Sequence, residues 1–208
     1  MFAIMENEVI ENHQRYLKRV ELYSKFGYDI EKEGSFIIEK AQPLAGNILE
    51  VGTGKGYFTL ALALAGYHFF SFDISAEEQR YALLNLKYYE LQKQVSFVIA
   101  NVEYIPCDDV FFDVIFAVNM IHHLSSVRKA CSELIRILSP KGKIILSDFN
   151  ANGLAILDKI HALEGRKHEV NSGTMKDAKD VFIELGLNLE EFHSPTQDVL
   201  IGHRRLIT

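Results

Sequence analysis

The 208 residues contain no tryptophan, only two cysteines and only four prolines. Cys107 and Cys131 stand alone, without metal-ligand spacing, so a disulfide scaffold and a thiolate zinc site are both excluded and free thiols are expected. No apolar run approaches the length of a membrane span. The opening Met1-Phe2-Ala3-Ile4-Met5-Glu6 lacks the basic start and long apolar stretch of a secretory signal, so a cytoplasmic location is expected. Positive charge is also scarce. Lys and Arg total 22 against 28 Asp and Glu, giving a net charge of -6, which disfavours a nucleic-acid partner. Lys141, Lys143, Arg166, Lys167, Arg204 and Arg205 are too scattered to form one basic strip. What is present is ordinary for a globular enzyme: 48% apolar and 24% charged residues, in a length that fits one α/β domain.

The apolar rhythm divides the chain. A helical stretch from about Glu6 to Ser24, a turn at Phe26-Gly27-Tyr28-Asp29 and a second helical stretch carrying Phe36, Ile37, Ile38 and Ala41 up to Pro43 form a front piece over residues 1–45. From residue 46 to 208 the pattern changes to strand, turn, helix. Strands are expected at Asn47–Val51, Tyr67–Phe72, Val95–Ala100, Asp113–Val118, Lys143–Ser147, Leu189–His193 and Val199–Ile207. Helices are expected from Tyr57 to Ala65, from Ser75 to about Gln92, from Ser126 to Leu138, from Asn152 to Leu163 and from Thr174 to Leu185. Ser75-Ala76-Glu77-Glu78 reads as a capping box, and Pro140-Lys141-Gly142 as a helix stop. The alternation predicts an α/β fold with a doubly wound, mostly parallel sheet.

The most informative string is Ile48-Leu49-Glu50-Val51-Gly52-Thr53-Gly54-Lys55-Gly56. A buried strand ends in a glycine loop that feeds a helix, which makes a cradle for a cofactor. The dinucleotide fingerprint requires its third glycine where Tyr57 stands. Glu50, two residues before Gly52, suits a cationic ligand better than a phosphate. Asp73, at the end of the second strand, can accept from both hydroxyls of a ribose or can cap the next helix.

The loop, with Asp73 and the strings Ile105-Pro106-Cys107-Asp108-Asp109, Phe112-Asp113-Val114-Ile115 and Ile121-His122-His123-Leu124, resembles the class I S-adenosylmethionine-dependent methyltransferases over residues 46–148. The strings are most similar to the small-molecule, ubiquinone/menaquinone-biosynthesis branch. The resemblance implies a seven-stranded Rossmann-like sheet with an antiparallel final hairpin and an N-terminal helical cap acting as a lid. It implies S-adenosylmethionine as cofactor, S-adenosylhomocysteine as product and a small-molecule methyl acceptor. Cofactor contacts are then expected at Glu50, Gly52, Thr53, Gly54, Gly56, Asp73, Ile74, Asn101, Val102, Asn119 and Tyr28. Asn101 stands where the family usually has Asp, and is also a common turn residue. Asn119-Met120-Ile121-His122 departs from the Asn/Asp-Pro-Pro-aromatic motif of enzymes that methylate nucleobases or glutamine.

His122 and His123 follow the fourth strand, where an acceptor should lie, and either can serve as a base or simply pack. Asp148, after the fifth strand, is a third catalytic candidate or a plain strand-end acid. His161, Glu164 and His168 fall on one helical face if the helix continues past Gly165, as ligands for zinc, an acceptor rim or solvated surface; no metal is expected. Two rival readings remain: an NAD(P)-binding oxidoreductase, and a non-catalytic partner subunit that binds S-adenosylmethionine.

Overall fold

The computed structural model describes residues 2–165 and 173–204. Two helices, α1 (Phe2–Lys25) and α2 (Ile30–Lys40), precede the first strand. Then follow β1 (Ile48–Val51), α3 (Tyr57–Leu64), β2 (Phe69–Asp73), α4 (Ala76–Tyr88), β3 (Val95–Ile99), β4 (Phe112–Val118), α5 (Val127–Ile137) and β5 (Leu138–Phe149). The chain closes with α6 (Ala151–Leu163), α7 (Met175–Glu184), β6 (Leu187–His193) and β7 (Gln197–Arg204). The strands form one seven-stranded sheet in the order β3-β2-β1-β4-β5-β7-β6. β1 to β5 run parallel, and β7 pairs antiparallel with both β5 and β6. This is the doubly wound sheet and closing hairpin that the alternation and the resemblance anticipate.

Strand alternation sorts the core into two layers. Leu49, Val51, Ile115, Ala117, Ile144 and Leu146 face Leu134 and Ile137 of α5 and Phe182 of α7. Ile48, Val114, Phe116 and Ile145 face Ile37, Phe58, Leu62 and Leu86 on α2, α3 and α4. Tyr16, Ile37 and Ala41 of the front helices belong to this second cluster.

Helix starts follow polar caps: the Asp29, Ser126 and Asn150 side chains each accept from backbone amides of the next turn. Four local expectations are corrected. At Ser75 only half the capping box forms: its hydroxyl accepts from Glu78 N, while the Glu78 side chain turns to line two cavities. The reciprocal box forms instead at Thr174 and Asp177. The helix expected to reach Gln92 stops at Tyr88, because Glu90 adopts φ 59 and a short 3-10 turn, Gln92–Gln94, follows. Pro140-Lys141-Gly142 does not merely stop α5; it lies inside β5, where the register jumps from Phe112↔Leu138 to Val114↔Lys143. A bulge is the one place within a sheet that readily takes such a proline. β7 begins at Gln197, two residues earlier than expected, and residues 205–208 lie outside the described residues.

Candidate active site

Strand order reverses between β1 and β4, so the crevice beyond their carboxyl ends is where a ligand fits. Two adjoining cavities open there. One, of about 420 Å³, lies over the glycine loop and the ends of β2 and β3. The other, a chamber of about 690 Å³, is walled by α1, α6 and the ends of β4 and β5. Asn119 and His123 line both.

The loop cavity gathers Gly52, Gly54, Asp73, Ile74, Asn101, Val102 and Asn119 from the expected set. Gly52 (φ 83) and Gly54 (φ 48) adopt left-handed backbone, and a Cβ on Gly54 would meet nothing within 4 Å, so ligand space reaches the backbone itself. Asp73 Oδ2 accepts from Gly54 N at 2.8 Å and Oδ1 from Ser75 N at 2.8 Å. It therefore both shapes the loop and caps the helix, and each oxygen retains a lone pair for a sugar hydroxyl. Ile74 is 71% exposed at the rim. Asn101 Oδ1 accepts from Glu103 N at 2.9 Å, a turn bond that leaves a second lone pair.

Three expected cofactor contacts fall elsewhere. Glu50 shares the face of β1 that carries Ile48, so alternation turns its carboxyl beneath the loop, where Thr59 and Ser71 donate to it at 2.7 and 2.6 Å. Burial pushes this carboxyl up to about 7, against the two hydroxyl bonds, which pull it down. Glu50 lines neither of these two cavities. The Thr53 hydroxyl also turns under the loop, to Ser71 at 2.6 Å. Gly56 is needed for packing: a Cβ there would meet Ala82 Cβ at 2.5 Å.

The chamber brings the catalytic candidates together. His122 Nδ1 lies 2.7 Å from Asp148 Oδ1, and Asp148 Oδ2 accepts from His122 N at 3.1 Å. A carboxylate only accepts, which assigns the hydrogen to Nδ1. Both residues are buried. The His123 ring lies 4.0 Å from that of His122, but is exposed at the junction of the cavities. Tyr28 also lines the chamber, hydrogen-bonded to Gln197 and Asn119, with burial holding its phenol well above the usual range. His161 lines the far wall, Glu164 pairs with Arg19, and His168 lies outside the described residues. Among the described residues no group of three ligand-type side chains could hold a metal ion.

Sequence reading missed Arg19 on the chamber wall and the buried Gln197. Lys55, which also lines the chamber, sits inside the glycine motif and was legible there. Gln197 carried no local signal, since its partner Asn119 is 78 residues away.

A family model described as a methyltransferase domain matches residues 49–146. Residues 49–146 carry a methyltransferase domain of the class I S-adenosylmethionine-dependent type. It is 28% identical over 181 residues to a ubiquinone biosynthesis O-methyltransferase of Thiobacillus denitrificans, covering 81% of this chain and 76% of that protein. It is 32% identical over 112 residues to a demethylmenaquinone methyltransferase of Clavibacter sepedonicus, covering 52% of this chain and 43% of that protein. Among solved structures, a putative S-adenosyl-L-methionine-dependent methyltransferase of Methanococcus maripaludis superposes with a TM-score of 0.70 at 20% identity, over 93% of this chain and 94% of that one, a likeness of fold. The cofactor of this methyltransferase is S-adenosylmethionine. The loop cavity fits its nucleoside, with open backbone at Gly54, a strand-end acid and apolar walls from Ile74 and Val102. No helix among the described residues is long and apolar enough to cross a membrane.

Proposed function

We propose that this methyltransferase passes a methyl group to a small-molecule acceptor seated in the chamber, with His122 as general base and Asp148 as its orienting partner. The pairing of a buried imidazole with a buried carboxylate at 2.7 Å carries the reading. When bound, S-adenosylmethionine supplies a sulfonium methyl whose bonding pair stays with sulfur. Asp73 would hold the ribose, Asn101 and the Val102 amide the adenine, and the backbone at Gly52 and Gly54 would let the donor lie close. The chain's main task is positioning, which can contribute about 7–11 kcal/mol. His122 Nε2 takes the acceptor's proton, and Asp148 stabilises the imidazolium that results.

A chamber volume of about 690 Å³ suits a small molecule, and the acidic net charge disfavours a nucleic acid. We read residues 1–45 as a cap, because Tyr23 and Arg19 of α1 and Tyr28 wall the chamber. Two free cysteines support a cytoplasmic location. His122→Gln and Asp148→Asn should each lower methyl transfer from a tritiated donor by about 10²–10⁴-fold, with S-adenosylhomocysteine affinity unchanged. Undiminished turnover in both would remove the base from the mechanism. Silence of the wild type across a broad metabolite screen, with S-adenosylhomocysteine still bound, would favour the non-catalytic partner subunit.

A further inference from the structure

The sheet has two open edges, β3 and β6, and they differ in kind. β6 carries Glu190 and Glu191 on opposite faces, the first paired with His203 and the second with Lys179. Charges so placed keep a further strand away. β3 is Val95-Ser96-Phe97-Val98-Ile99, which has no charge and no proline, and four of its residues are β-branched or aromatic. Its register with β2 runs unbroken from Val95 to Ile99, so no bulge bends it away. Val98 is 36% exposed and Ile99 52%.

Alternation decides which backbone groups reach this edge. Ala100 N donates to Asp73 O at 2.9 Å, so the amides and carbonyls of Ser96 and Val98 also point toward β2. Those of Val95, Phe97 and Ile99 point the other way. Among the described residues, the outward amides and carbonyls of Phe97 and Ile99 form no hydrogen bond. Polar groups of that kind, set in an apolar strand, are a template for another strand.

We infer that β3 is a dimer edge, where two copies of this chain pair antiparallel about a two-fold axis at Phe97 and join their seven-stranded sheets into one. The strand is complementary to itself in that register. Phe97 stands opposite its twin, Val95 opposite Ile99 and Ser96 opposite Val98, so no charge is buried. The outward groups of Val95, Phe97 and Ile99 exchange N–H···O=C bonds across the axis. The exposed flanks of Val98 and Ile99 leave water at the same time. A foreign strand would have to bring matching residues, whereas a second copy carries them at the right spacing. The pairing also stops at two. It uses β3 from both copies and leaves β6 at each end, where a third chain would meet Glu190 and Glu191. No β3 residue lines the loop cavity or the chamber, so the dimer is independent of the methyltransferase reading.

Sedimentation equilibrium of the full chain at micromolar concentration should give twice the mass of one chain. Hydrogen exchange at the Phe97 and Ile99 amides should be slow in the dimer and speed up on dilution. Ile99→Pro removes an outward amide but no bond to β2, and its ring stands where the other copy would dock. It should sediment as a single chain and bind S-adenosylhomocysteine as the wild type does, which shows that it folds. Val98→Lys keeps every backbone group and sets like charges from both copies on one face. It should weaken dimerisation severalfold, and less so at high salt. A wild type that sediments as one chain, fast exchange at Phe97 and Ile99 within a dimer, or a folded Ile99→Pro protein that still dimerises overturns the proposal. Should Ile99→Pro fail to fold, Val98→Lys decides in its place, and an undiminished dimer there overturns the pairing equally.

Discussion

Glu50 ends a hydrogen-bond relay that starts on α4. Gln79 Nε2 donates to Thr53 Oγ1 at 3.3 Å, and Thr53 lies 2.6 Å from Ser71, whose own hydrogen goes to Glu50. Burial raises this carboxyl from 4.5 to about 7. In the folded chain it stays protonated up to near-neutral pH, whereas in the unfolded chain it ionises above 4.5. The folded state then binds the extra proton, so stability present at low pH is lost as pH rises through about 7. Glu50→Gln stays neutral throughout. Its stability relative to wild type should therefore grow between pH 4.5 and 7 by up to about 3 kcal/mol and level off above. Urea unfolding of both proteins across that range measures the difference, and a gap that does not change with pH would refute the burial argument. The same residue marks a limit of sequence reading. An acid two positions before a glycine loop is visible in the string, but which face it takes depends on the strand's phase against α3. Asp73, Ile74 and Val102 were legible because they follow strand ends, where position in the chain already fixes position in the crevice.

At the scale of elements, Arg136 shows how α5 holds a connection that has no regular structure. Its guanidinium carries five N–H groups, and five bonds use them. Nε and Nη2 donate to Glu133 at 2.9 and 2.8 Å, Nη2 to Ile105 O at 2.8 Å, and Nη1 to Cys107 O at 2.9 Å and Asp109 at 2.6 Å. This pins residues 105–109 against α5, on the approach to β4. Lysine offers three donors from a single point and cannot reproduce the fork. Arg136→Lys should cost about 1–3 kcal/mol through the carbonyls left unpaired, read as a lower urea midpoint at constant slope. An unchanged midpoint would mean that the loop does not depend on the fork. The helices and strands themselves were legible from periodicity, as in the helix expected from Ser126 to Leu138 and observed at Val127–Ile137. The Arg136 fork and the β5 bulge were not, since both depend on pairing across the fold: Pro140 looks like a stop until Phe112 and Val114 are seen to pair on either side of it.

At the scale of the molecule, the reversal of strand order between β1 and β4 sets the glycine loop beside Asn119, so one crevice serves both cavities. Any ligand that binds only the folded chain stabilises all of it, by about 2.7 kcal/mol at 100 times its Kd. For a domain of this size a kcal/mol is worth roughly 2–4 °C in Tm. S-adenosylhomocysteine at that concentration should thus raise the midpoint by roughly 5–11 °C. With Glu50 buried beneath the loop and protonated up to about neutral pH, the distinction between a sulfonium and a diphosphate falls to shape. The dinucleotide fingerprint needs its third glycine for close packing of helix on strand, and Tyr57 occupies that position, stacked on Tyr16 of α1 at 5.6 Å. Removing the obstruction would mean moving α1, because the two rings share one contact. NADH should therefore leave the midpoint unchanged in the wild type. An NADH shift equal to that of S-adenosylhomocysteine would show that Tyr57 and α1 yield, and that the loop admits a pyrophosphate.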